Sequence, residues 1–526
     1  MATAPILPLK DLVLAPVSSD DLPSLCALEA SSYPPDEAAT PAKLAFRAAS
    51  APDFFRVAWA TKLGGPGEAA ARVRVGFVTG TLTAGEVLRE EDMSAHDAAG
   101  TTLCIHSVVV DAAWRRAGLG RWLVRGYLAS VAVAAPAVKQ VLLLTHAENE
   151  ALYAAAGFVS RGVSAVHHGG TPWLEMARPL LPHDRLPALY HVDAFTLADG
   201  AGVPVPLTGN PAAIVMLPPG TPLPGDSYMQ AMAAEMALPV TAFVAPRAAD
   251  GCFDVRYFTP TTELPLCGHA SLAAGRALWR SGALPPCVRA ATLTTRGGIR
   301  IIVAADDAAV TLTLPADAPR PLSADEVAAV LPALPALFGL PPARLQPVTA
   351  GAGGSGLVAV GRNTRDMVLV VTPDVFRDMA VKPTAAAGLD GRIISVTTAG
   401  GAGATADDDA PRQWRLTSGY AGEVAAAAYE SVSRCFSPAT GTPEDPACGA
   451  AHCGIVPFMR TLFPRPTSAA AAGADGWFAA FQASPRGAAM QARLASDGAT
   501  LELRGTTAVV MAGHVTDAAW HAAAAQ

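Results

Sequence analysis

The stretch Thr102-Leu-Cys-Ile-His-Ser-Val-Val-Val-Asp-Ala-Ala-Trp-Arg-Arg-Ala-Gly-Leu-Gly-Arg-Trp-Leu-Val124 decides how the first third of the chain folds. Its first half is apolar and β-branched, as is typical of a buried strand. From residue 119 to 127 the apolar residues recur at helical spacing. A short basic turn with Gly118 and Gly120 lies between the two halves. The sequence therefore predicts a strand, a tight turn and a helix in immediate succession.

A turn of this kind is suited to bind a diphosphate. The first N–H groups of a helix have no intrahelical partner, and the helix dipole favours negative charge at that end. Gly118 and Gly120 allow the backbone to approach phosphate oxygens without an intervening Cβ, while Arg115 and Arg116 add positive charge. A glycine pair in a strand-to-helix turn also serves simple packing, so the turn alone leaves both interpretations open.

Other segments extend this pattern. After the Arg-x-x-Gly-x-Gly turn come a further strand and the segment Leu152-Tyr-Ala-Ala-Ala-Gly-Phe158. In this order, the two segments resemble the acetyl-CoA motif and the Tyr-x-x-x-Gly-Phe segment of the GNAT superfamily. The likeness is closest to the arylalkylamine (serotonin-type) N-acetyltransferases and covers residues 10 to 180. It includes Ser32-Tyr-Pro-Pro-Asp-Glu-Ala38, Val75-Gly-Phe-Val-Thr-Gly80 and Cys104-Ile-His-Ser107.

The resemblance implies a mixed sheet flanked by helices, with acetyl-CoA as co-substrate and a small amine, an arylalkylamine or a polyamine, as acceptor. Acetyl transfer needs a base for the ammonium proton and an acid for the departing thiolate; the matching residues are His106 and Tyr153. His106 also has a simpler interpretation as a core histidine. The residues implied to hold the co-substrate are Val108, Val110, Arg115, Arg116, Ala117, Gly118, Leu119, Gly120 and Arg121.

One position departs from the acetyltransferase pattern. The related enzymes use two histidines two residues apart to relay the proton through water, and the second of them matches His106. The first is Cys104 in this chain. Cys104 is therefore either a packed strand thiol or a replacement base.

The stretch Arg178-Pro-Leu-Leu-Pro-His-Asp-Arg-Leu-Pro187 separates two parts of different character. Its three prolines disfavour both helix and central strand, which predicts a linker between separately folding units. We place a first domain at residues 1–178, the linker at 179–188 and a second domain at 189–518. Two further segments, 399–428 and 466–476, have the composition of flexible, exposed insertions.

The second part carries seven landmarks in a fixed order. They are Val192-Asp-Ala-Phe-Thr196, Gly209-Asn-Pro-Ala-Ala213, Met229-Gln with the following Ala-Ala-Glu-Met-Ala-Leu238, Arg256-Tyr-Phe-Thr-Pro260, Glu263-Leu-Pro-Leu-Cys-Gly-His-Ala270, Glu444-Asp-Pro-Ala-Cys-Gly-Ala-Ala-His452 and Gln482-Ala-Ser-Pro-Arg-Gly487. Together they resemble the PhzF (phenazine biosynthesis-like) isomerase family, which is related to diaminopimelate epimerase. The resemblance implies two similar lobes, near 189–318 and 319–518, each with a central helix, and a site in the cleft between them.

Two Cys-Gly steps mark that site. Cys267 and Cys448 each precede an apolar helical run, over 271–279 and 452–459 respectively. Two helix N-termini that face each other across the cleft are expected to bind a substrate carboxylate and to lower the pKa of a thiol placed there, without metal or cofactor. The resemblance also retains His269 and Asp445 as site residues.

Three positions depart from the isomerase pattern. Val240 stands where the family has a glutamate proton shuttle, Ala450 replaces a serine, and Cys448 replaces the usual threonine. Cys448 aligns with the second thiol of the diaminopimelate epimerases, and Cys267 with the first. Three interpretations stay open: a two-thiol 1,1-proton transfer on a small carboxylic acid, a PhzF-like isomerisation through His269 and Asp445, and an inactive module that binds a small acid or mediates dimerisation.

The length, composition and net charge of the whole chain limit the remaining possibilities. A chain of 526 residues predicts two or three compact units, and 51% hydrophobic against 16% charged residues excludes global disorder. The net charge of -7 provides no basic stripe for a nucleic acid, and no apolar run is long enough to span a membrane. Eight sparse cysteines without a CxxC pair predict reduced thiols and no metal site. We therefore expect a cytoplasmic α/β (α+β) enzyme in two parts, with the second domain as a candidate homodimer interface.

Overall fold

The structure is a computed structural model of the 526-residue chain. It describes residues 6–64, 68–166, 170–247, 249–306, 309–349, 354–400, 429–438, 442–464, 476–496 and 498–516. Apart from their end residues, the two predicted insertions at 399–428 and 466–476 lie outside the described residues. Among the described residues, no helix combines the length and the apolar character that are needed to cross a membrane.

The first part alternates strands and helices. Its strands are β1 (Leu9–Pro16), β2 (Phe55–Lys62), β3 (Ala71–Thr83), β4 (Thr102–Val110), β5 (Gln140–Thr145), β6 (Val159–Val163) and β7 (Leu174–Pro179). Its α-helices are α1 (Leu22–Ser32), α2 (Pro41–Ser50), α3 (Leu119–Ala134) and α4 (Glu150–Ala154). The strands predicted at 73–82, 103–110 and 141–145 and the helix predicted at 119–133 are confirmed.

The sheet of the first part opens at one point. Strands β1 to β4 pair antiparallel in chain order, and β5 then pairs parallel to β4 before β7 and β6 follow. The pairing between β4 and β5 runs only from Thr102 opposite Gln140 to Ile105 opposite Leu143. From His106 onward the two strands diverge, so this edge of β4 is left without a strand partner.

The second part is rich in strands. They are β8 (Ala188–Thr196), β9 (Asn210–Met216), β10 (Val240–Pro246), β11 (Phe253–Phe258), β12 (Glu263–Leu264), β13 (Ala290–Thr295), β14 (Arg300–Ala305), β15 (Ala309–Pro315), β16 (Arg320–Pro321), β17 (Leu357–Arg362), β18 (Met367–Val371), β19 (Ile394–Ala399), β20 (Ser431–Ser437), β21 (Thr442–Asp445), β22 (Phe478–Gln482), β23 (Ala488–Leu494) and β24 (Thr500–His514). The helices are α5 (Asp226–Met236), α6 (Gly268–Arg280), α7 (Ala324–Val330), α8 (Leu334–Phe338), α9 (Pro373–Asp378) and α10 (Gly449–Leu462).

Eight strands of the second part pair into a closed circuit around α6. In order around the circuit they are β8, β9, β10, β11, β13, β14, β15 and β24, and β24 pairs back to β8. Helix α6 is buried on nearly all sides, and most of its enclosed residues are small. A helix that is apolar all round can be enclosed in this way without leaving a polar face unsolvated.

The remaining strands form an open run beside α10. Strands β16 to β20 pair in chain order, β22 then adds parallel to β20, and β23 connects this run to β24. Helix α10 continues past Pro457, and its residues from Cys453 to Met459 are buried. The helices predicted at 271–279 and 452–459 are thus confirmed, whereas similarity between two lobes stays a prediction.

The predicted linker is anchored rather than free. Strand β7 ends at Pro179, a short 3-10 turn spans Pro182–Arg185, and β8 begins at Ala188. Arg178 forms an ion pair with Asp184 (2.6 Å), and Arg185 donates a hydrogen bond to the Pro136 carbonyl (3.0 Å). The prolines exclude a regular helix as predicted, but Pro182 is tolerated at the start of a turn, where its missing N–H costs nothing.

The two parts are also in direct contact, which the sequence did not indicate. The Leu7 amide donates to the Cys287 carbonyl (2.8 Å), and Lys10 pairs with Ala290 in a short parallel bridge between β1 and β13. The buried Asp11 carboxylate accepts the Thr292 amide (2.9 Å). On α3, the Trp122 indole donates to the Ala283 carbonyl (2.8 Å). The edge of the first sheet is therefore completed by residues of the second part.

A substitution at Gly251 tests the contact between the first and the second part. Gly251 has a left-handed φ of +73°, and a Cβ there would lie 1.9 Å from the Asp11 carbonyl oxygen. We expect Gly251→Ala to destabilise the protein by about 3 kcal/mol, because it adds a backbone clash to the left-handed strain. Gly298→Ala is the matched control: its φ is +78°, but nothing lies within 4 Å of the added Cβ, so only about 1 kcal/mol is lost. Equal losses of melting temperature in calorimetry would contradict the packing of Gly251 against Asp11.

Candidate functional site

The first part encloses a cavity of about 670 Å³ at the point where β4 and β5 diverge. Its walls come from β4 (105–110), from the end of β5 with the following residues (143–149), and from the basic bend before α3. Tyr33, which directly follows α1, and Tyr153 on α4 cover it. The cavity thus joins the predicted diphosphate turn to the predicted proton-transfer residues.

The bend before α3 has the backbone geometry that an anion requires. Gly118 is the residue before the first turn, with φ +87°, and a Cβ there would meet nothing within 4 Å. Arg116 is also left-handed (φ +65°). Among the described residues, neither Arg116 nor Arg121 has a hydrogen-bond partner, although both line the cavity. Two unpaired guanidinium groups and a helix N-terminus therefore face the same space.

Two of the predicted co-substrate residues have different roles. Arg115 is held by the protein itself, since its Nε donates to the Val110 carbonyl (2.7 Å) and its Nη2 to Ser32 Oγ (2.9 Å). Arg115 therefore shapes the bend. Ala117 is fully buried in the core and does not line the cavity, whereas Leu119 and Gly120 do.

The free edge of β4 is partly occupied. The Tyr33 hydroxyl lies 3.3 Å from both the amide and the carbonyl of Val108. The Val110 carbonyl is already taken by Arg115. Of the two backbone positions predicted to pair with the pantetheine arm, Val108 is available only if Tyr33 gives way, and Val110 offers no free carbonyl.

His106 lies exactly where β4 loses its partner strand. Its Nε2 is 2.7 Å from Thr81 Oγ1, and its buried Nδ1 has no partner among the described residues. Burial, together with the charges of Arg47 and Lys43, holds the pKa of His106 well below its ordinary value. The imidazole is therefore neutral at neutral pH.

Cys104 is a packed thiol. It is fully buried in a small apolar cluster with Leu88 and Leu142, behind the wall of the cavity. Burial and the nearby carboxylates of Asp92 and Glu175 raise its pKa far above the usual range. Of the two alternatives for Cys104, the structure supports packing over a replacement base.

Tyr153 and Glu29 complete the reacting end of this cavity. Tyr153 lies on α4, and burial raises its pKa, which keeps the phenol protonated. Glu29 on α1 is 1% exposed; its Oε1 accepts the Ala39 amide (2.9 Å) and the Ser107 hydroxyl (3.0 Å). Its Oε2 has no partner among the described residues, and burial raises its pKa. Glu29 was not predicted as a site residue, because its position facing β4 depends on how α1 packs.

A second group was also missed. His146, which directly follows β5, lies 3.1 Å from Glu37 Oε2 and stacks on Trp173 with ring centroids 3.9 Å apart. All three residues line the cavity. Glu37 lies within a quoted landmark, but its partner comes from a segment more than a hundred residues away, so the pair could not be found from local sequence.

The second part has a smaller cavity, of about 80 Å³, between α6 and α10. It brings together all four predicted residues of this part: Cys267, His269, Asp445 and Cys448. Val240 and Ala450, the two departures from the family pattern, also line it, together with Asn210 and Arg392. Among the described residues, no group of three or more His, Cys, Asp or Glu side chains is arranged to hold a metal ion.

The N-termini of α6 and α10 meet at this cavity. Cys267 and Cys448 are the residues that directly precede the two helices, and Gly268 and Gly449 are the first helical residues. A Cβ on Gly268 would lie 3.5 Å from the Gly449 Cα. This is an ordinary van der Waals distance, so the two positive helix ends lie in direct contact at these glycines.

Each thiol has its own proton acceptor. Cys267 Sγ lies 3.4 Å from His269 Nδ1, and Cys448 lies close enough to Asp445 for the carboxylate charge to act on its thiol. Asn210 connects the two pairs: its amide nitrogen donates to Asp445 Oδ1 (2.7 Å) and to a backbone carbonyl (3.1 Å), and it lies 3.2 Å from His269 Nδ1. Because the amide has only two hydrogens and both are used, His269 Nδ1 is left to the Cys267 thiol.

The prediction that these thiols have a lowered pKa at the helix N-termini is wrong, because both pKa values are raised. Burial raises the pKa of Cys267 to about 12, even though the amides of Ala270 and His269 pull it down. Contact with the Cys435 thiol, burial and the charge of Asp445 hold the pKa of Cys448 well above its ordinary value. At Cys267, desolvation outweighs the contribution of the backbone amides at the start of α6.

Burial shifts the pKa values of the two neighbouring groups, His269 and Asp445, in opposite directions. It lowers the pKa of His269 to about 3 and raises the pKa of Asp445. His269 is therefore a neutral acceptor. Gln482 holds the backbone in place, since its Oε1 accepts the Cys448 amide (2.8 Å) and its Nε2 donates to the Asp445 carbonyl (2.5 Å). Asn210 and Gln482 lie within quoted landmarks, but only the fold showed their contacts.

A family model described as phenazine biosynthesis-like protein matches residues 192–513, more than half of the chain. The chain belongs to the PhzC-PhzF family. An uncharacterized isomerase of Halalkalibacterium halodurans is 28% identical over 310 residues, which are 59% of this chain and 91% of that protein. The family membership confirms the resemblance proposed for the second part and supports an isomerase-type enzyme there.

Solved structures resemble each part to a lesser degree. A PhzF-family protein of Enterococcus faecalis has a TM-score of 0.46 and 23% identity, and the match covers 63% of this chain and 99% of that one. A GNAT-like decarboxylase, GphF, in complex with isobutyryl-CoA has a TM-score of 0.27 and 20% identity and covers 32% of this chain and 99% of its own. The acetyltransferase interpretation of the first part therefore depends on its own geometry.

The raised pKa of Cys267 has a measurable consequence. Because only the thiolate is alkylated, we expect iodoacetamide to modify Cys267 at pH 7.5 at least about a hundredfold more slowly than free glutathione. The rate should still rise about tenfold per pH unit between pH 7.5 and 9.5, since the pKa lies above this window. Peptide mass spectrometry measures the rate, and Cys267→Ser identifies the modified peptide. A rate that levels off below pH 8 would show that the thiol is acidic instead.

Proposed function

We propose that the first part is an acetyl-CoA-dependent N-acetyltransferase that acts on a small amine, with an arylalkylamine as the preferred class. The observation that carries this proposal is the continuous 670 Å³ cavity that runs from the basic bend at residues 115–121 to His106 and Tyr153. Anion-binding backbone, an open strand edge and two candidate proton-transfer groups line one space. This combination suits a thioester on a long phosphorylated carrier.

Residues at one end of the cavity would bind the co-substrate, and residues at the other end would transfer protons. The first amides of α3, with Arg116 and Arg121, would hold the diphosphate, and the edge of β4 at Val108 would align the carrier arm once the Tyr33 hydroxyl has moved away from it. When bound, acetyl-CoA would supply the thioester carbonyl. At the reacting end, His106 shares its Nε2 with Thr81 and presents the Nδ1 lone pair to accept a proton. Tyr153, held protonated by burial, would donate to the departing thiolate.

The substitution Tyr153→Phe tests the proposed role of Tyr153 as the proton donor to the departing thiolate. We expect kcat to fall about a hundredfold, because the proton donor is lost, with acetyl-CoA affinity nearly unchanged. Tyr127→Phe is the control: its buried hydroxyl binds the Phe54 carbonyl (2.8 Å) and does not line the cavity, so only stability should fall. A thiol-release assay over an amine panel and a titration with coenzyme A provide the two readouts. Parallel losses of kcat and affinity would argue against an acid role.

For the second part we propose a cofactor-independent 1,1-proton transfer on a small carboxylic acid. Cys267 and Cys448 line one cavity, and each lies beside a proton acceptor, His269 or Asp445. The two helix ends would stabilise the carboxylate of a substrate that reaches them, and each thiol could pass its proton to its own partner as the reaction requires. Val240 cannot carry a proton, so the family's usual shuttle has no counterpart at that position.

Cys448→Ala tests the two-thiol mechanism. We expect exchange of the substrate α-hydrogen with deuterated solvent to fall at least about a hundredfold, because one of the two faces of the carbon loses its acid–base group. Cys453→Ala is matched, since this thiol is buried on the same helix but does not line the cavity, and its exchange rate should equal that of the parent. Unchanged exchange in Cys448→Ala would remove the second thiol from the mechanism. Acid binding without any exchange in the parent would instead favour an inactive binding module.

A further inference from the structure

Arg392 stands in the wall of the second cavity without a role in the chemistry described so far. It directly precedes β19 and lines the cavity together with Cys448 and Ile393. Its guanidinium is fixed on one edge by Asp366: Nε lies 3.2 Å from Oδ1 and Nη2 lies 3.1 Å from Oδ2. This pairing orients the whole planar group.

Asp366 is itself held by the backbone. The carboxylate is almost fully buried and also accepts the Ile393 amide (3.1 Å), while the Arg392 carbonyl accepts the Ser437 hydroxyl (2.8 Å). In the part of the chain that the structure describes, the remaining nitrogen of Arg392, Nη1, makes no hydrogen bond. Two N–H donors at a fixed position thus remain for a ligand.

The other walls of the cavity present different groups. Positive helix ends meet at Gly268 and Gly449, where one carboxylate is accommodated. Asn210 is fully buried and lines the cavity, and its Oδ1 has no partner among the described residues. An unpaired buried acceptor is costly, so it calls for a hydrogen-bond donor on the ligand. The cavity therefore offers two kinds of anion-binding group, the helix ends and the Arg392 guanidinium, and one acceptor.

We propose that the acid bound by the second part is a small dicarboxylic acid that carries a hydroxyl or ammonium group. One carboxylate lies at the helix ends, the other binds Arg392, and the hydroxyl or ammonium group donates to Asn210. A volume of about 80 Å³ is room for roughly five to eight water-sized groups, which limits the ligand to three or four carbons. This inference deepens the proposed function of the second site and depends on it for the identity of the reaction.

Calorimetric titration of the full chain tests the inference with four probes: aspartate and malate as diacids, alanine and lactate as the matching monoacids. The parent should bind the diacids at least tenfold more tightly. Arg392→Gln should abolish that preference and leave the affinity for the monoacids unchanged. Arg392→Lys, which keeps the charge but loses the planar fork, should retain part of it.

Arg434→Gln is the matched control for loss of a guanidinium–carboxylate pair. Arg434 binds Glu444 through two 2.7 Å contacts but does not line the cavity, so the preference for diacids should persist. Melting curves of all variants, and the lysine variant in particular, separate a folding defect from a binding defect.

Three outcomes overturn the inference. They are no binding of any probe at millimolar concentration, equal affinity of the parent for diacids and monoacids, and an equal loss of affinity for diacids and monoacids in Arg392→Gln. The proposed isomerase activity fails separately. Diacids that bind through Arg392 but exchange no α-hydrogen with deuterated solvent would refute the reaction and leave the anion site intact. If a monoacid exchanged its α-hydrogen with solvent but diacids bound no more tightly than monoacids, the reaction would be supported and the anion site at Arg392 refuted.

Discussion

The second part depends on a contact in which neither residue has a side chain. Gly268 and Gly449 bring the positive ends of α6 and α10 together, an arrangement that is unfavourable on its own because two like partial charges face each other. Negative charge must compensate for it. Asp445 lies beside the contact, and the thiols of Cys267 and Cys448 stand at the helix starts. The carboxylate of a small acid would supply the further negative charge that this arrangement favours.

Landmarks that are far apart in the chain hold this contact in place. Asp193 at the start of the second part is fully buried, and its carboxylate accepts a hydrogen bond from Arg486 (2.9 Å), almost three hundred residues later. Arg486 also donates to the Gly209 carbonyl (2.8 Å), directly before Asn210. The proposed acid–base groups are thus positioned by an ion pair between the first and the last landmark. A buried pair of this kind is costly to break because it leaves an uncompensated charge.

Much of this architecture could be predicted, and the failures have physical reasons. The strand, turn and helix at 102–134 and the two Cys-Gly helix starts follow from local patterns, since capping and periodicity are local properties. Glu29, Asn210 and Arg392 were missed as site residues because their roles arise from packing between distant segments. The acidity of Cys267 was misjudged because the helix dipole is visible in sequence, whereas the degree of burial, which dominates, is not. The contact between the two parts was missed for the same reason, since a single parallel bridge has no local pattern.

The bridge between β1 and β13 has a consequence for the order in which the protein matures. Strand β1 is synthesised well before the residues that complete its outer edge: Ala290 pairs with it, and Thr292, whose amide binds Asp11, lies 281 residues further along the chain. During that interval the nascent first part carries an unsatisfied sheet edge and a buried acid, Asp11, that lacks its Thr292 partner. During translation, the unpaired sheet edge of the first part is thus exposed before the residues that pair with it have been made.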